Sequence, residues 1–356
     1  MEEWIEEKLK RIGKWWNGEN KGRPLLWLVA RTEQACEPIN LNKFWQSPES
    51  EPEFEKIVDT QIKNISGWTF LAESYPCIPH LWGSRGTPMS MAAYLGSKVN
   101  FREETVWFEP IIDDWRNFKI KFDKNNYWVS ISKKLLETQL KKYDGNFLIW
   151  LPDFGDALTV FSLLRGVEKL LLDLIEIHDV IKVKIGEFID VWKKAHSYFW
   201  DLYRKKLPGD CSWLLWAPGK TYACQCDFST MISSEMFKEF VVPEIEMIGE
   251  YLDFIVWHLD GPEEIKHLDT LLQLPQIKAI QIVPGAGKPP CCSSLWIPQM
   301  KKIQEKGRVV IAYANTKEEV ETLFSNLNSE KLFLFCGLNF KDKSEADEFI
   351  KWTEKF

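Results

Sequence analysis

No apolar run in this sequence approaches the roughly 20 residues that a membrane-spanning helix requires. The opening stretch MEEWIEEKLKRIGKWW has no basic start, apolar middle or small-residue cleavage site of a secretory signal. A cytoplasmic protein with no membrane partner is therefore expected. Basic charge is in deficit: 45 Lys and Arg face 52 Asp and Glu, a formal charge of -7. Such a surface is poorly suited to neutralising phosphate backbones, so no nucleic-acid partner is expected. The eight cysteines lack the dense, regular spacing of a disulfide scaffold. Cys224-x-Cys226 and Cys291-Cys292 also lack the paired spacing of a structural zinc cluster. Cys36, Cys211, Cys291 and Cys292 are expected to form no metal cluster, and most thiols to be reduced. No fixed-period repeat, low-complexity tract or Gly/Ser/Pro linker marks a domain boundary.

What is present is the composition of a folded protein, 45% hydrophobic and 27% charged, with 18 tryptophans, many of them before residue 130. These rings serve core packing and can also wall a pocket for an organic ligand. The length fits two ordinary domains or one α/β barrel with additions. From about Gly145 onward, β-rich runs (NFLIWLP, WLLWAP, YACQCDF, DFIVWHLDG, IKAIQIVPG, RVVIAYA, KLFLFCG) alternate with helical patterns, which predicts parallel strands joined by crossover helices. PLLWLVA near Pro24 and an unclear stretch at SGWTFLAESYP supply further strand candidates. Thr316 with Glu319, and Ser344 with Asp347, have capping-box spacing; Pro262 suits a first helical turn and Gly307 a C-terminal cap. The expectation is a single (β/α)8 barrel over residues 1–356. Residues 1–144 would carry the first strands and a Trp-rich, N-terminal helical elaboration, and 145–356 the regular βα units.

Alternation along a strand sets Phe254, Val256, His258 and Asp260 on one face of FIVWHLD. Barrel enzymes place their sites at the C-terminal ends of strands, and Asp153, Asp227, Gln281 and Cys336 end other strands at the same mouth. Gln225 and Asp227 are expected to face that mouth, with Cys224 and Cys226 on the opposite face. Each residue also has a structural alternative: Asp260 could cap the following helix, His258 could be a hydrogen-bonded structural histidine, and capping accounts for at least one of Asp153 and Asp156.

The segment CDFSTMISSEMFKEFVVPEIEMIGEYLDFIVWHLDG resembles the uroporphyrinogen decarboxylase superfamily of (β/α)8 barrels. The resemblance rests on an S-x-x-x-F-x-x-F-x-x-P helix from Ser233 to Pro243 and a strand ending in H-x-x-G, His258 to Gly261. LRGVEKLLLDL, HLDTLLQLPQIKAIQIVPGAG and AAYLGSKVNFREETVWFEP are similar to a bacterial subgroup often labelled trimethylamine corrinoid protein 2. The likeness covers most of the chain from Pro24.

The decarboxylase branch opens with R-Q-A-G-R, of which PLLWLVARTEQA keeps only Arg31, and LPDFGDALTV lacks that branch's Pro-Trp-Thr. The cobalamin-dependent methyltransferase branch binds zinc through a strand-end H-x-C and a later cysteine. By that resemblance His258, Asp260 in place of cysteine, and Cys336 would be the zinc ligands. No D-x-H-x-x-G loop is present to hold cobalt, so no tightly bound cobalamin is expected in this chain.

The reading is a methyltransferase-type enzyme acting on a small molecule, with His258 and Asp260 in the chemistry and Asp153, Asp227 and Gln281 orienting the substrate. Its methyl donor would be a separate corrinoid protein or a small methylated molecule. A metal-free decarboxylase or lyase and a non-catalytic small-molecule binder are the alternatives, since one barrel hosts many chemistries.

Overall fold

The structure, a computed structural model, describes residues 1–32, 52–80, 89–101, 106–341 and 343–356; Cys36 lies outside them. Apolar residues at helical spacing build α1 (Glu3–Trp16), which buries Ile5, Leu9, Ile12, Trp15 and Trp16. The next elements are β1 (Leu25–Arg31), α2 (Phe54–Ser66), β2 (Trp68–Ala72), β3 (Cys77–Ile78), α3 (Ser90–Tyr94), β4 (Val99–Phe101), β5 (Val106–Phe108) and α4 (Tyr127–Lys142). There follow β6 (Leu148–Ile149), α5 (Ala157–Arg165), α6 (Val167–Glu176), α7 (His178–Tyr203), β7 (Asp210–Ser212), β8 (Leu215–Ala217), β9 (Thr221–Cys224), α8 (Ser234–Phe240) and α9 (Val242–Gly249). The chain ends with β10 (Phe254–Asp260), α10 (Leu268–Leu271), β11 (Ile277–Val283), α11 (Trp296–Glu305), β12 (Val309–Ala314), α12 (Lys317–Asn326), β13 (Leu332–Cys336) and α13 (Lys343–Thr353).

This is a mixed α/β fold around a parallel sheet, consistent with a TIM-like barrel. Seven strands form one sheet in the order β2-β1-β13-β12-β11-β10-β9, parallel except for β2, which runs antiparallel to β1. β3 and β6 form a separate parallel pair. Beyond the seven-stranded sheet the links are sparse: Leu151 N–H donates to Cys211 O at 3.1 Å. β9 meets β7 through side chains, with Thr221 N–H on Asp210 Oδ2 at 3.0 Å and Ala223 N–H on Ser212 Oγ at 3.1 Å. Among the described residues the strands do not close into one continuous ladder.

Helix α1 lies across the N-terminal ends of the strands. Trp16 donates its indole N–H to Trp216 O at 2.8 Å and packs on Phe254, while Trp15 packs on Phe333. That end is plugged, and the opposite end carries the polar residues.

Several local expectations change. The apolar pattern after Asp156 forms two helices, broken at Gly166 with φ +93°. WLLWAP is not a parallel strand: Trp213 and Leu214 take φ of +45° and +70°, which turns the chain back so that β8 pairs antiparallel with β7. Ser344 lies inside α13, so its capping box does not form, and Glu345 accepts the Lys341 N–H at 2.7 Å instead. The Thr316–Glu319 box forms, with Thr316 Oγ1 accepting Glu319 N–H at 3.2 Å and the Glu319 carboxylate accepting Asn315 N–H at 2.7 Å. The Trp-rich segment before Asp144 is more than an addition, because its β3 pairs with β6. No helix among the described residues is long and apolar enough to cross a membrane.

Candidate functional site at the strand ends

β10 is fixed from both sides, by β9 through Phe254↔Thr221 to Trp257↔Cys224 and by β11 through His258↔Gln281 and Asp260↔Val283. Its parity holds: Trp257 packs outward on Phe237 of α8, while His258 faces the other way, edge-on to Trp213 with ring centroids 4.8 Å apart. The helix motif before β10 is structural. Ser233 caps α8 by accepting Met236 N–H at 3.2 Å, Phe237 and Phe240 are buried, and Pro243 lies in the first turn of α9.

His258 Nδ1 lies 2.7 Å from Gln281 Oε1, and Gln281 Nε2 donates to the Tyr313 hydroxyl at 2.6 Å. An amide oxygen can only accept, so Nδ1 carries the hydrogen, and in the neutral ring Nε2 is left with a lone pair. Three consecutive strands thereby fix one imidazole tautomer. Asp227, three residues beyond β9, belongs to the same cluster. Withdrawal from water pushes its pKa up, the charge of a protonated His258 pulls it down and that of Asp260 pushes it up, while the residue itself is exposed.

Asp260 is exposed, and its carboxylate does not cap the 3-10 turn that follows. The cap runs the other way: Glu264 Oε2 accepts the Asp260 N–H at 3.2 Å, and its Oε1 accepts the Ser229 hydroxyl at 3.2 Å. Burial, with Asp227 and Asp260 nearby, pushes the Glu264 carboxyl up to about 9. Asp153 is buried beneath the mouth, its Oδ1 accepting the Tyr222 hydroxyl at 2.7 Å and Gly155 N–H at 3.2 Å. Burial pushes it up to about 6 against the pull of those donors and of Trp213. Asp156 is the helix cap, accepting Thr159 N–H at 2.9 Å at the start of α5.

His258, Asp260, Asp227, Gln281 and Asp153 are thus neighbours at one end of the strands, and Gln225 is buried just after β9. Cys336 is not part of this group. It ends β13, with two strands between it and β10, so about three strand spacings, roughly 14 Å along the sheet, separate it from His258. Its buried thiol leans on Leu334 O of its own strand, and burial pushes its pKa up to about 12. No three His, Cys, Asp or Glu side chains among the described residues gather as metal donors. The zinc set of His258, Asp260 and Cys336 therefore does not fit. The seven described cysteines are unpaired, Cys77 and Cys211 facing each other with sulfurs 3.7 Å apart.

A cleft of about 550 Å³ opens beside Asp260 and Tyr313, over the loop Pro284–Lys288, bounded by Asn315 and Glu319. Trp213, Tyr222, Glu264 and Tyr313 complete the site, and none of them was singled out from the sequence. Tyr313 had a signal, being one alternation from the end of RVVIAYA. Trp213 had none, because its placement depends on the β7–β8 reversal.

No protein-family model and no curated protein matches this chain. Among solved structures, a methyltransferase from Methanosarcina mazei superposes with a TM-score of 0.59 at 10% sequence identity, over 98% of each chain. At that identity the likeness is one of fold.

Proposed function

We propose that this chain is a methyl-transfer enzyme on a (β/α)8 barrel of the uroporphyrinogen decarboxylase superfamily, acting on a small thiol or alcohol held at the C-terminal strand ends. The observation that carries the reading is the His258–Gln281–Tyr313 relay, which leaves His258 Nε2 as a base facing the mouth. The end-to-end likeness to a methyltransferase fold supports it. The acceptor's proton passes to Nε2, and the freed sulfur or oxygen takes the methyl group while the donor's bond to that methyl breaks. Asp227 offsets the charge of the resulting imidazolium, and Asp260 and Asp153 orient the acceptor. The donor is a separate corrinoid protein or a small methylated molecule.

A second reading is a metal-free decarboxylase or lyase, favoured by the carboxyl groups of Asp153 and Glu264, which burial pushes up to about 6 and about 9. Incubation with methylcobalamin and a panel of small thiols separates the two. Methyl transfer reads out as loss of the cobalt–carbon absorbance together with a methylated thiol, and His258→Ala should slow it at least about 100-fold. Absence of turnover with every thiol, alongside carbon dioxide release from a carboxylic acid, would favour the second reading.

A further inference from the structure

Behind the mouth, where α9 covers β9 and β10, lies a small cavity lined by Gly155, Asp156, Cys224, Glu244 and Trp257 among others. Two of these residues carry buried polar atoms with no hydrogen-bond partner, Asp156 Oδ2 and Trp257 Nε1. Asp156 is 5% exposed and Trp257 1%, so bulk water reaches neither. The two do not bond each other, yet an indole N–H can only donate and a carboxylate oxygen can accept. Buried groups of this kind are ordinarily satisfied, by protein or by an ordered water. The space open to a water centre is about 10 Å³, the room that one water needs.

We propose that this cavity is a binding site for a single structural water, which accepts from Trp257 Nε1–H and donates to Asp156 Oδ2. Glu244, also in the lining, lies beside Asp156, and burial together with that neighbouring carboxyl pushes its own pKa well up. Both Glu244 oxygens already take the Ala157 N–H, at 3.0 and 3.2 Å, and Asp156 caps the same helix through Thr159. The water therefore joins the N-terminus of α5 to β10 at the residue immediately before His258. It serves to hold that strand end in register, and this holds whatever reaction the mouth performs.

A crystal structure of the full chain at high resolution tests the site directly. One water peak at about 2.7–3.2 Å from both Trp257 Nε1 and Asp156 Oδ2 is expected. In solution, indole 15N spectra should show a water cross-peak to the Trp257 Hε1, assigned by its disappearance in Trp257→Phe. An empty cavity, a direct Trp257–Asp156 hydrogen bond, or a peak at the shorter distance of a bound cation would overturn the proposal. If Trp257→Phe does not fold, the wild-type crystal still decides.

Discussion

His258 and Asp260 share a face but not a role in stability. The Asp260 side chain is exposed and caps nothing, so Asp260→Ala should change unfolding stability by less than about 0.5 kcal/mol. Ligand or acceptor binding should nonetheless fall about tenfold, the effect of one lost charge-assisted contact. Paired thermal melts and binding titrations check this, and a destabilised variant that binds normally would restore the cap reading. Tyr313→Phe should behave differently. It strips the partner from Gln281 Nε2 in a buried position, costs about 1–3 kcal/mol, and lets the amide flip so that His258 loses its imposed tautomer. Urea denaturation should register the first effect, and a flattened pH–rate profile the second.

At the level of elements, Glu73 is the clasp between α1 and the start of β1. Its carboxylate takes Arg11 at 2.7 Å, Arg23 through two contacts at 2.9 Å, and the Leu26 N–H at 2.8 Å. Glu73 itself is 3% exposed. Removing one partner from a buried ion cluster strands the others, and Glu73→Ala should cost about 3–5 kcal/mol. Equilibrium denaturation measures it; a loss below about 1 kcal/mol would mean that α1 docks through its tryptophans alone. Ser233 and Phe237 belong to the same scale, since the motif that carried the family resemblance caps and packs a helix onto β10 and contributes no atom to the mouth.

Over the whole molecule, buried carboxyls set the pH response. Asp153, Asp156 and Glu264 are pushed by burial to about 6, 7 and 9, above the roughly 4 of the unfolded chain. Between those values the folded state binds more protons, so stability falls as pH rises. His80 acts in the opposite sense below its unfolded value, because burial holds it at about 4 and the unfolded imidazole takes a proton that the folded one refuses. From pH 6.5 to 8 the His80 contribution is largely spent, and Tm should drop by several degrees. Glu264→Gln should flatten that drop. A Tm that climbs with pH over this window, read by differential scanning fluorimetry, would contradict the placement of these carboxyls.

Read alone, the sequence determined the βα alternation, the parity of β10 that sets His258 and Asp260 on one face, and the cap at Thr316, and it narrowed the cap of α5 to Asp153 or Asp156. All of these are local, set by periodicities of 2 and 3.6 and by turn chemistry within a few residues. It also placed Asp227 and Gln281 at the mouth, because strand ends of one parallel sheet share an end. The tertiary structure alone decided the rest. Trp213 reaches His258 because two residues take positive φ. Tyr222 reaches Asp153 across 69 positions, and Glu264 rather than Asp260 supplies the cap. Cys336 lies at the right end of the wrong strand for a metal triad, since parity orders residues along a strand while strand order, a product of long-range pairing, sets the distance between them.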